Sequence, residues 1–129
     1  MEFPMTTAVT AAAIAFLQVA LMMRVGLTRA RSGVGIGDGG SETMALLIRS
    51  HGNLTENAPL FLILLALSEL AGAAPWVITS LAAGFVVARL AHAVALSTTS
   101  GPHPLRVVGA MGTVLTILVA AGQLLWLSF

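Results

Sequence analysis

The sequence predicts an all-α membrane protein, a protomer of four transmembrane helices packed as one bundle, and three observations predict it. Of 129 residues, 57% are hydrophobic and 9% charged, with a mean hydropathy of +0.97. A soluble domain carries about 25% charged residues, and one this short leaves much of its surface in water. The apolar residues gather into four stretches near the ~20-residue length that crosses a hydrocarbon core. Between them lie polar or tight segments rich in Gly, Ser and Pro, the residues that punctuate helices.

The first span is expected over about residues 5–25, with Gln18 its only strongly polar residue before Arg24. Glu2, with no basic residue ahead of the apolar stretch, speaks for a retained span and against a cleaved leader. The connector TRARSGVGIGDGGSET follows. The second span, about 45–70, is polar in its first half (RSHGNLTEN) and apolar in its second (LFLILLAL). AGAAP makes a tight turn, with Pro75 suited to a first helical position. The third span covers about 76–96, STTSGPHP connects, and the fourth runs from about 105 to 129, with Trp126 placed as an interfacial anchor. No internal repeat or second domain interrupts residues 1–129. Abundant Ala and 13 Gly suit close helix packing in lipid.

Consecutive spans alternate direction, so the first and third connectors share a side. Arg29 and Arg31 lie in the first connector, flanked by Arg24 and Arg49, and Arg106 follows the third. The other side holds only Glu2 and Glu69. The positive-inside rule therefore puts the arginine side in the cytoplasm and both termini outside it. A net charge of +1 is too small a balance for nucleic acid, and no cysteine is present for disulfides, thiolate metal sites or nucleophilic catalysis.

Helix direction also sorts the ionisable groups by depth. Arg49, His51, Asn53 and Glu56 open the second span on the cytoplasmic side. Arg89 and His92 close the third there, Arg106 opens the fourth, and Arg24 closes the first. Arg49, Asn53 and Glu56 stand at i, i+4 and i+7, and Arg89 and His92 at i and i+3; each set occupies one helical face. Charges at that depth cost several kcal/mol unless paired or hydrated, so these groups should face protein or water. Pro59 removes a helix hydrogen bond beside Glu56 and can kink the second span.

Plainer readings stand beside this one. Arg24, Arg29 and Arg31 also fit topology and lipid contact, and His103 and Glu69 fit connectors. GVGIGDGG follows a membrane helix and not a strand, so it is no dinucleotide site. His51 and His92 among arginines make a poor cation site, and no metal is expected. The remaining set (Arg49, Asn53, Glu56, Arg89, Arg106) brings too many costly groups together for packing alone. Guanidinium forks suit a ligand with more than one carboxylate, Glu56 an ammonium group, and a nearby arginine would favour a thiolate.

RSHGNLTENAPLF, followed by ARLAHAVAL and PLR, resembles the MAPEG family (membrane-associated proteins in eicosanoid and glutathione metabolism), most closely its short bacterial members, where GDGG before the R-x-H-G-N-x-x-E helix is also familiar. The resemblance covers about residues 20–110. It implies a homotrimer in a bacterial inner membrane, with glutathione as substrate bound between subunits near the cytoplasmic side. It implies that Arg49, Asn53, Glu56 and Arg89 hold glutathione with His92 beside them, that Arg24 or Arg29 is the basic residue contributed by the first helix, and that Arg106 stabilises the thiolate. The chain departs from the family pattern at Asn57 and Leu96, where family enzymes often carry Tyr, and at Val107, which is Ser in one branch; it has no Tyr at all. The function so implied is a membrane-bound glutathione transferase or peroxidase acting on a lipophilic small molecule from the bilayer. The rival readings are a proton-coupled transporter using Glu56 and a non-catalytic trimer binding an anionic lipid.

Overall fold

The computed structural model describes residues 3–98 and 101–129. Glu2, and Thr99 and Ser100 of the third connector, lie outside them. Four helices follow one another: α1 (Met5–Ser32), α2 (Glu42–Leu70), α3 (Pro75–Thr98) and α4 (Pro104–Leu127). There is no strand among the described residues. α1, α3 and α4 are long and apolar enough to cross a membrane. At 29 residues α2 is also long enough, but its polar first half keeps it below that standard of apolarity.

Local chemistry sets the helix ends. α1 runs through Arg29 and Arg31, beyond the predicted end of its apolar stretch, and stops at Gly33, whose φ of 69° completes a left-handed cap. Nothing in TRARS breaks a helix, and basic residues suit the negative end of its dipole. α2 starts at Glu42 because Ser41 accepts a hydrogen bond from the Met44 N–H. It continues through Pro59 without interruption. α4 is capped by the His103 ring, whose Nδ1 accepts from the Leu105 N–H, with Pro104 at the first position.

α3 packs most extensively against α4, while α2 touches each of the other three helices; α1 and α4 do not meet among the described residues. The core therefore lies between α2 and α3. Its centre is Phe61 stacked on Phe85, ring centroids 3.9 Å apart, with Leu54, Leu65, Ile78 and Leu81 around them. Small residues let α4 approach α3: a Cβ built on Gly109 would lie 2.7 Å from the Ala88 carbonyl oxygen and the His92 backbone nitrogen. Hydroxyls inside the helices bond their own backbone four residues back, as Thr10, Thr55, Thr79, Thr113 and Ser97 do. In lipid that is how a lone hydroxyl is satisfied.

Candidate functional site

The polar groups meet where α2, α3 and α4 come together at the end of the bundle that holds the first and third connectors. Arg89 is 3% exposed. One of its Nη atoms donates to the Asn53 side-chain oxygen and lies 3.5 Å from the Asn53 carbonyl; the other donates to the Gly109 carbonyl at 3.2 Å. One guanidinium thus joins three helices. His92, one turn after Arg89 on α3, is also buried. Arg49 lies early in α2, Arg89 in the second half of α3 and Arg106 at the start of α4, so antiparallel helix order brings the three arginines toward the same end of the bundle.

On the outer face of α2, Arg49 and Glu56 form an ion pair at 3.2 Å, with both side chains more than half exposed in the protomer. They border a groove of about 380 Å³, with Asp38, Ala45, Ile48 and Gly52 among its walls. A pair of charges at this depth cannot face acyl chains cheaply, so this side of α2 needs water or another protein surface in the membrane. The half-buried Arg106 borders a second concavity of about 490 Å³, with His103, Val107 and Met111. A further concavity, of about 690 Å³, lies at the far end of α4 between Leu125, Trp126 and Phe129, with no charged side chain on its wall.

The two candidate basic residues of α1 are engaged elsewhere. Arg24 donates to the Ser97 hydroxyl at 2.7 Å, tying α1 to α3, and Arg29 donates to the Gly35 carbonyl at 2.7 Å, tying the connector to α1. Neither hydrogen bond reaches Arg49 or Asn53. At Asn57, where the family pattern often has Tyr, the side chain turns back and donates to the Asn53 carbonyl at 2.7 Å. No group of three His, Asp or Glu among the described residues could hold a metal ion.

Two polar contacts were not foreseen. Gln18 Nε2 lies 2.8 Å from His51 Nε2 and donates to Thr55 at 2.6 Å, joining α1 to the polar half of α2. The available signal was a lone amide in an apolar span, facing a helix with polar groups at matching depth. At the opposite end, the Glu69 carboxylate accepts from the backbone N–H groups of Thr6 and Thr7 and from the Thr7 hydroxyl, at 2.9, 2.8 and 2.6 Å. Glu69 is a cap for α1 supplied by α2.

A helical bundle with three helices long and apolar enough to span a membrane, one end of which gathers arginines, an asparagine and a glutamate, defines a polytopic membrane protein with a polar end. The sequence pattern of the MAPEG family matches residues 7–126, nearly the whole chain, and the protein belongs to that family. No curated protein matches the chain.

Proposed function

We propose that the protein binds glutathione at the polar end of the bundle and delivers its thiolate to a lipophilic electrophile or hydroperoxide from the bilayer. The observation that carries this reading is the convergence of Arg49, Asn53, Glu56, Arg89 and Arg106 in a chain of a family whose members include glutathione transferases. Arg49 offers a carboxylate two parallel N–H bonds, and Glu56 offers an ammonium group its counter-charge. Arg106, half-buried at the start of α4, stabilises the anion left when the thiol proton goes to water. The thiolate then forms an S–C bond as the electrophile loses its leaving group. With a hydroperoxide, two glutathiones leave as the disulfide while the O–O bond breaks to alcohol and water.

The exposed Arg49–Glu56 pair favours an assembly in which neighbouring copies cover that face and complete the pocket, a homotrimer by the family resemblance, with Arg24 or Arg29 lending further positive charge. The mostly cationic surroundings of Glu56 favour an anionic ligand over proton-coupled transport. The resemblance of its motifs to the short bacterial members supports a bacterial inner membrane as its location.

Calorimetry on detergent-purified protein tests the proposal directly. Glutathione binds the wild type, and Arg106→Ala lowers the thiol-transfer rate by about tenfold or more while leaving most of the binding. No heat of binding, together with a rate indifferent to Arg106→Ala, would overturn the reading.

A further inference from the structure

We propose that Arg89 is a positioning residue, a buried brace that sets Asn53 and the first turns of α4, and that ligand is contacted by Asn53 through its amide N–H groups. The ligand assignment rests on the glutathione reading above; the brace does not.

Arg89 is too deeply enclosed, at 3% exposure, to meet a molecule in the grooves. No carboxylate of the described residues is paired with it. Its acceptors are neutral, namely the Asn53 side-chain and backbone oxygens on α2 and the Gly109 carbonyl on α4. Its Nε is buried without a partner, so both ends of the fork are committed to other helices.

Donor and acceptor chemistry then fixes the asparagine. A guanidinium has donors only, so the Asn53 amide must turn its oxygen inward. With the oxygen turned toward Arg89, the side of the amide away from the guanidinium is its NH₂, which offers two donors. The half-buried Asn53 lies on the same face of α2 as Arg49 and Glu56. The brace thus converts an ambivalent side chain into one that reads carboxylate or carbonyl oxygen. It acts equally on α4. Gly109 stands three residues after Arg106, on the same face, where an added Cβ would lie 2.7 Å from backbone atoms of α3. Holding the Gly109 carbonyl holds the turn that presents Arg106. Lysine cannot do this, because a single ammonium lacks the planar fork that spans two acceptors.

The experiment joins a ligand-independent readout to a binding cycle on the full-length protein in detergent. In ligand-free protein, Arg89→Lys moves the Asn53 side-chain amide resonance (assigned by its loss in Asn53→Ala) and leaves that of Gln18 in place. Glutathione affinity falls about tenfold in Arg89→Lys, and by less than about twofold when the same change is made in Asn53→Ala. Should Arg89→Lys fail to fold, Asn53→Asp serves. It gives Arg89 a carboxylate and raises the melting temperature, yet it removes the amide donors and weakens glutathione about tenfold or more. An unmoved Asn53 resonance, or an unraised melting temperature in Asn53→Asp, would overturn the brace; additive losses in the double variant, or wild-type affinity in Asn53→Asp, would overturn the ligand contact through the Asn53 amide. A moved resonance in a wild type that binds no glutathione would leave the brace standing and remove the glutathione reading instead.

Discussion

Three hydrogen bonds converge on the Glu69 carboxylate, and they replace a cap that α1 lacks. Pro4 precedes α1 and offers no side-chain acceptor, so the first N–H groups of the helix would be unsatisfied at the membrane boundary. A carboxylate there meets both the free donors and the positive end of the helix dipole. Glu69→Gln keeps one acceptor and loses the charge, and it should lower stability by about 1–2 kcal/mol. Thermal unfolding in detergent measures this; unchanged melting would mean that water caps α1 equally well. In sequence, Glu69 read as a connector residue, because a cap donated from 62 residues away has no local pattern. Arg89 illustrates the same limit differently. Its depth and its face beside His92 were legible from helix direction and spacing. Its partners were not, since they depend on how α3 is rotated against α2 and α4.

At the scale of the helices, order and number were legible, while ends were legible only where the signal was chemical. Pro75 marks the start of α3, as read. The end of α1 and the start of α2 lie further out than apolarity predicts, at Ser32 and Glu42, because apolarity reports where lipid stops and capping reports where the helix stops. Ser41 and Gly33 carried that second signal. The α3–α4 contact depends on the missing side chain of Gly109. Its added methyl in Gly109→Ala would meet backbone atoms of Ala88 and His92 at 2.7 Å, which a flexible neighbour cannot relieve. Overpacking of that kind costs about 1–3 kcal/mol. The variant should melt earlier than wild type, whereas Gly122→Ala, where a methyl meets open space, should not; equal melting of the two would show that α4 shifts freely along α3.

For the whole molecule, the distribution of charge over the two ends of the bundle is a statement about orientation in the membrane. Arg29 and Arg31 occupy the last turn of α1, and Arg49, Arg89 and Arg106 lie toward the same end. Some of these are engaged in the polar site, but Arg31 is exposed and Arg29 is held at the connector by Gly35, so positive charge remains at the surface whatever the site binds. The opposite turn, between α2 and α3, has Glu69 as its charged neighbour and no basic residue. Short loops with arginine tend to stay in the cytoplasm, and on that rule we propose an orientation with the first connector inside and both termini outside. The absence of cysteine makes this directly measurable. Ile36→Cys reports on the first connector, where the native side chain is 94% exposed, and Ala74→Cys reports on the exposed turn before α3. With a membrane-impermeant maleimide, intact bacterial spheroplasts should label Ala74→Cys, and Ile36→Cys should label only after permeabilisation. The reverse pattern would invert the bundle and put the polar site, with any thiol it uses, on the far side from the cytoplasm.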